Sequence, residues 1–177
     1  MNSPIANQIL SSKVYGRLLR YVESVDKYQI VEQKYLDRNY QTVHAHRVPA
    51  GSDIEDIVIR NFMKFNDDHF KYDLSGTFEV QLLKYLPGCH YDWHADYGVS
   101  ECPPDVRKLS MSIQLSNTWE YNGCDVYLRD WYNNSQHMER EAGAVTVFDS
   151  KVPHRITRLS DGIRYSLIAW AHGPELK

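Results

Sequence analysis

The sequence predicts a mainly β fold with N-terminal helices and a sandwich or jelly-roll core. Apolar residues recur at helical spacing only as far as Phe65, and from Thr77 onward the period changes to two. Short candidate strands then follow one another, separated by turn signals at Pro87-Gly88, Pro103-Pro104, Asn122-Gly123, Gly143 and Asp161-Gly162. Many short strands at such intervals point to a sheet folded over on itself.

The elements follow in order. Ser11 or Ser12 caps a first helix in which Val14, Leu18, Val22 and Val25 share one face, and Asp26-Lys27 ends it. Residues 28–48 carry Tyr, Val and Thr at mixed spacing, which suits one or two strands near the sheet edge. Ser52-Asp53-Ile54-Glu55 reads as a capping box, with Ile54, Ile57, Val58, Phe62 and Phe65 as the apolar stripe of a second helix. Both helices are expected to buttress a sheet whose strands lie at 77–86, 108–116, 124–129, 144–149, 153–159 and 163–171. Leu109, Met111, Ile113 and Leu115 alternate with Ser110, Ser112, Gln114 and Ser116, giving one apolar face and one small polar face able to line a wet cavity. In the last strand Arg164, Ser166, Ile168 and Trp170 share a face, opposite Tyr165, Leu167, Ala169 and Ala171.

A chain of 177 residues suits one domain, with 1–75 as helical support plus edge strands and 76–177 as the core that carries the site. Lys and Arg number 20 against 23 Asp and Glu, a formal charge of -3 and a pI near 6.2, so bulk electrostatics favour neither nucleic acid nor an anionic membrane as partner. The start, MNSPIANQILSSK, lacks a charged leader with an apolar run, and no stretch approaches the roughly 20 apolar residues of a membrane span. A cytoplasmic location is expected. Cys89, Cys102 and Cys124 are odd in number and scattered, which indicates neither a disulfide framework nor a paired zinc site. The 13 Tyr and 4 Trp supply rigid amphipathic rings for a core or a groove.

His94-Ala95-Asp96, a distant His154 and an Arg164 ten residues beyond it carry the chemistry. Two imidazoles and one carboxylate hold one face of an octahedral Fe(II) and leave the other open for a co-substrate and O2. An always-charged guanidinium suits the far carboxylate of a dicarboxylate such as 2-oxoglutarate. Pointing into a barrel, Arg164 is a costly buried charge unless an anion meets it, and Ser166 on the same face offers a second donor.

Tyr85-x-x-Gly88-x-x-Tyr91-x-x-His94-x-Asp96, a strand with Gly123 near its start, Pro153-His154 and Gly162-Ile163-Arg164-Tyr165-Ser166-Leu167 resemble, as a set, the prolyl 4-hydroxylase-like family of 2-oxoglutarate and Fe(II)-dependent dioxygenases. The resemblance spans about residues 77–172. It implies a double-stranded β-helix, a cupin-like jelly roll, with His94, Asp96 and His154 as iron ligands and Arg164 on the distal carboxylate of 2-oxoglutarate. It further implies that Tyr85 hydrogen-bonds the co-substrate, that Arg107 contacts substrate, that Trp170 lines the same mouth and that Tyr91 sits near the site. The implied reaction uses Fe(II), 2-oxoglutarate and O2, with ascorbate as a reductant, to hydroxylate a C–H bond and release succinate and CO2. No protein acid or base is required.

Two departures stand out. Gln114 occupies a position where relatives often carry a Tyr, so one co-substrate hydrogen bond is made differently; Gly123-Cys124 stands where relatives have Gly-Gly, a change expected to affect packing and not the iron. Loops 97–107 and 130–141 flank the expected mouth, and Tyr97, Trp131 and Tyr132 suit a peptide in extended or polyproline form. The resemblance favours a prolyl residue in a protein or peptide, with a free amino acid or other small molecule as the alternative. A nucleic-acid demethylase calls for a second Arg well after the distal His and for a basic face, whereas Arg158 lies only four residues after His154. An inactive binding module tolerates loss of a ligand, yet all four residues are present.

Overall fold

The computed structural model describes residues 4–98, 103–130 and 132–175. The chain opens with β1 (Ile5–Ile9) and α1 (Ser12–Ser24), whose N-cap Ser11 accepts the Val14 N–H. Next come β2 (Gln29–Tyr35) and β3 (Arg38–Arg47), joined by Leu36 and Asp37, both at positive φ as a two-residue hairpin turn requires. Helix α2 (Asp53–Phe65) is capped by the Ser52 hydroxyl, which accepts the Glu55 N–H at 3.3 Å. The reciprocal bond is shifted by one residue: the Glu55 carboxylate accepts from Gly51 N–H at 2.6 Å. A π-helical turn at Asn66–Phe70 extends the helix.

Thereafter come β4 (Phe78–Tyr85), β5 (His90–His94), β6 (Val106–Gln114), β7 (Tyr121–Gly123), β8 (Val126–Arg129), β9 (Ser135–His137), β10 (Ala144–Asp149), β11 (His154–Ile156), β12 (Leu159–Gly162) and β13 (Arg164–Gly173). Among the described residues they form one curled antiparallel sheet in the order β1-β10-β6-β13-β4-β3-β5-β11-β8-β9, with β2 beside β3 and a separate β7-β12 pair. This is the mainly β, jelly-roll core that the alternating pattern predicted.

Strand parity decides what each face does. On β6 and β13 the apolar set Leu109, Met111, Ile113, Leu167, Ala169 and Ala171 packs with Leu18 of α1 and with Ile54, Ile57, Val58, Phe62 and Phe65 of α2. Phe62 is fully buried there, so Phe62→Ala is a cavity-forming change of the kind that costs about 3–5 kcal/mol. The opposite face of the same strands turns Ser110, Ser112, Arg164, Ser166, Ile168 and Trp170 into a cavity.

The structure corrects several sequence expectations. β2 is an edge strand, but β3 lies inside the sheet, its first half paired with β5 and its second with β4. The segment 153–159 divides into β11 and the start of β12, with Thr157 and Arg158 between them. Gly123 ends β7, and the next strand begins at Val126. A side chain at Gly123 is impossible without rearrangement: its φ is +77, and an added Cβ would lie 2.3 Å from the Arg158 carbonyl oxygen.

Candidate functional site

The register of β5 against β11 makes His94 and His154 direct cross-strand partners, although 59 residues lie between them in sequence. Asp96 lies just beyond β5, where its backbone N–H and that of Tyr97 both donate to the Ser150 carbonyl. The ligand atoms of His94, Asp96 and His154 all lie within 4.8 Å of one another. His94 Nε2 is 3.7 Å from Asp96 Oδ1, and His154 Nε2 is 3.6 Å from Asp96 Oδ2.

Each member is oriented from behind. His94 Nδ1 lies 2.7 Å from the Asp92 carbonyl and His154 Nδ1 3.1 Å from the Val152 carbonyl. A carbonyl only accepts, so both rings carry their proton on Nδ1 and present the Nε2 lone pair to the centre. Ser110 Oγ donates to Asp96 Oδ2 at 2.7 Å. The Tyr91 ring stacks on His94 at 3.5 Å, and Phe148 meets His154 edge-on at 5.0 Å.

Electrostatics agree with a cation between these groups. Burial pushes the His94 imidazole down to about 4, helped by His154 beside it, so the ring is neutral and able to ligate. Burial works against charge on Asp96, yet His154 and His94, with the Trp170 indole and the Ser110 hydroxyl, hold its carboxyl below the usual range. Burial and the neighbouring Asp96 push the Tyr91 phenol up to about 12, which keeps it a neutral donor. Two imidazoles and a carboxylate form the donor set that suits a non-haem Fe(II) with open positions.

Arg164 marks the other end of a cavity of about 360 Å³. It is fully buried, and its partners are neutral: Gln114 Oε1 accepts from Nη2 at 2.8 Å and from Nε at 3.1 Å, while Nη1 lies 3.8 Å from Cys124 Sγ. Its guanidinium carbon is 5.2 Å from the centre of the buried Tyr85 ring. Ser166 Oγ is buried in the same wall without a hydrogen-bond partner among the described residues. A guanidinium, a hydroxyl and a phenol facing one cavity, with no acid beside them among the described residues, have the chemistry that suits a carboxylate.

Both departures noted in the sequence act on Arg164. Gln114 takes the guanidinium on its oxygen, and its amide nitrogen donates to Tyr121 Oη at 2.9 Å and to the Ser116 carbonyl at 3.0 Å. Cys124 has φ +54, the left-handed region that favours glycine, and its thiol reaches Arg164. The Gly123-Cys124 departure thus bears on the arginine end of the cavity and not on the His94-Asp96-His154 set.

Arg107 and Trp170 also line the cavity, stacked with 3.7 Å from guanidinium to ring centre, and Arg107 pairs with Glu79 at 2.5 Å. Tyr97 is half-buried under Lys151, Tyr132 is exposed, and neither lines the cavity; Trp131 lies outside the described residues. Sequence reasoning missed the wall made by Val31, Gln33, Gln41 and Val43 of the β2-β3 hairpin. Its turn, Leu36-Asp37, lacks the glycine that usually signals a hairpin.

The model of the 2OG-Fe(II) oxygenase superfamily matches residues 80–172, the stretch that contains His94, Asp96, His154 and Arg164. A PKHD-type hydroxylase of Gluconobacter oxydans is 25% identical over 92 residues, a match spanning 50% of this chain and 40% of that protein. In three dimensions the chain is similar to a Pseudomonas putida prolyl-4-hydroxylase, with a TM-score of 0.76 at 19% identity over 98% of this chain and 94% of that one. It is also similar to a Trichoplax adhaerens prolyl hydroxylase in complex with a hypoxia inducible factor peptide fragment, with a TM-score of 0.72 at 16% identity over 94% and 81% of the two chains. With the match covering more than half of its length, the chain belongs to the 2OG-Fe(II) oxygenase superfamily.

Proposed function

We propose that the protein is a 2-oxoglutarate- and O2-dependent Fe(II) dioxygenase that hydroxylates a prolyl residue in a protein or peptide. The observation that carries this reading is the pairing of a His94-Asp96-His154 centre with an Arg164 that has no acid beside it among the described residues, both facing one cavity. His94, Asp96 and His154 would hold the Fe(II), which when bound would supply the oxidative chemistry that joins 2-oxoglutarate decarboxylation, to succinate and CO2, to transfer of one oxygen atom of O2 to a substrate C–H bond. The protein's own residues bind, orient and exclude water. Arg164 and Ser166 take the distal carboxylate, Tyr85 stands beside them, and Gln114 fixes the guanidinium fork. Ser110 and Trp170 hold the Asp96 carboxylate, and the Asp92 and Val152 carbonyls set the two imidazoles. Phe148, Ile156, Val126 and Ile168 give the cavity an apolar wall that limits access of water.

The prolyl assignment draws on the neighbouring folds and on the peptide-bound Trichoplax enzyme. Mass spectrometry on proline-containing peptides tests it. The expected product gains one oxygen at proline in a reaction that needs Fe(II), 2-oxoglutarate and O2, and gain at another residue type refutes the prolyl reading.

A further inference from the structure

Arg164 lines the cavity, but the side chains that hold it, Gln114 and behind that Tyr121, do not. Gln114 Oε1 accepts from Nε at 3.1 Å and from Nη2 at 2.8 Å, which occupies one edge of the guanidinium. On the adjoining Nη1–Nη2 edge the partner is the Cys124 sulfur, 3.8 Å from Nη1, a weak acceptor that leaves this edge to a carboxylate. The amide has one workable orientation. Its nitrogen donates to the Ser116 carbonyl at 3.0 Å and to Tyr121 Oη at 2.9 Å, while its oxygen faces a guanidinium that only donates. Turning it over would set N–H against N–H at Arg164 and oxygen against oxygen at Ser116. Gln114, Tyr121 and Arg164 are all buried, so water does not readily replace a lost partner.

Tyr121 comes from outside the main sheet, on β7 of the β7-β12 ribbon. Its cross-strand partner is Gly162, two residues before Arg164. An added Cβ at Gly162 would lie 2.8 Å from Tyr121 Cα and 2.1 Å from the Glu120 carbonyl oxygen, so the missing side chain lets β7 lie close against the segment that leads into Arg164. The Arg140 guanidinium covers the Tyr121 ring at 4.7 Å and is itself paired with Asp125, which fixes the ring in place. The ribbon thereby presents one phenol oxygen to the amide that orients the arginine.

We propose that Tyr121 is a positioning residue for the co-substrate: through the Gln114 amide its hydroxyl holds the Arg164 guanidinium with the free edge available to the distal carboxylate of 2-oxoglutarate. This role rests on the dioxygenase reading above, and its test separates the two. 2-Oxoglutarate is titrated calorimetrically into the Fe(II)-loaded protein without O2, so that binding is read apart from turnover. Tyr121→Phe keeps the ring and its Arg140 contact but removes the acceptor, and Kd for 2-oxoglutarate is expected to rise about fivefold. In succinate assays of the same variant KM rises while kcat falls less. Gln114→Leu is expected to raise Kd about tenfold. The double variant distinguishes a relay from a merely structural tyrosine. If the hydroxyl acts through the amide, Tyr121→Phe adds nothing once residue 114 is Leu, and Kd stays about tenfold above the wild type instead of reaching the roughly fiftyfold of two independent losses. Multiplying losses, or an unaltered Kd in Tyr121→Phe, overturns the relay and leaves the dioxygenase standing. A wild-type protein that takes up Fe(II) but not 2-oxoglutarate refutes the dioxygenase reading and this inference together.

Discussion

At the metal end of the cavity Asp96 sits between two imidazoles that share its charge, and every member is also tied to a hydroxyl or a carbonyl. At the other end Arg164 is as deeply buried, yet its hydrogen-bonded partners are an amide oxygen and a thiol. The first end is organised to accept a cation; the second already holds one and is short of an anion. The difference teaches that burial alone does not mark a site. The marker is which charge has been left without its complement.

Altering Arg164 breaks that contrast most directly among changes away from the metal. Arg164→Met should weaken 2-oxoglutarate binding at least about a hundredfold, through loss of charge-assisted hydrogen bonds, as measured by calorimetric titration. The same change should leave the stability of the ligand-free protein unaltered or raised, because replacing a buried unpaired charge with an apolar group of similar volume removes a desolvation cost. Removing the orienting amide sharpens the contrast further: Gln114→Leu should raise KM for 2-oxoglutarate about tenfold with a smaller change in kcat.

Glu79 distinguishes the compensated cation Arg107 from the uncompensated Arg164. Burial alone would raise its carboxyl, but His172 and Arg107 beside it hold it down to about 2 against an ordinary 4.5. A depressed folded-state pKa gives stability that is complete above about pH 4.5 and is lost as the pH falls through about 2. Urea unfolding of Glu79→Gln over that window should show a flatter acid limb than the wild type. The smallest effect is expected at Ser166, where loss of one hydroxyl (Ser166→Ala) should raise KM for 2-oxoglutarate about twofold to threefold.

Much of the cavity was legible because period-two alternation is read directly from side-chain type. Ser110 and Ser112 on one strand, and Arg164 to Trp170 on another, could be assigned to the inner face without knowing the fold. The metal set was legible because His94 and Asp96 are close in sequence, and His154 follows Pro153 in a segment with strand character. What escaped detection depended on long-range pairing or on backbone shape. β1 and β9 are short, and β9 is exposed throughout, so neither carries a clear alternation. The central place of β3 follows from its partners β4 and β5, which no local pattern encodes. The Gln114-Arg164 contact joins residues 50 apart, and the left-handed backbone of Cys124 carries no glycine to announce it.

The central claim, a metal at one end of the cavity acting on a dicarboxylate held at the other, is tested most directly by succinate release from 2-oxoglutarate by the purified protein with Fe(II) under O2. The account predicts O2-dependent succinate formation in the wild type, and in Asp96→Ala a rate reduced at least about a thousandfold along with lost iron binding. Undiminished succinate release from Asp96→Ala would contradict it.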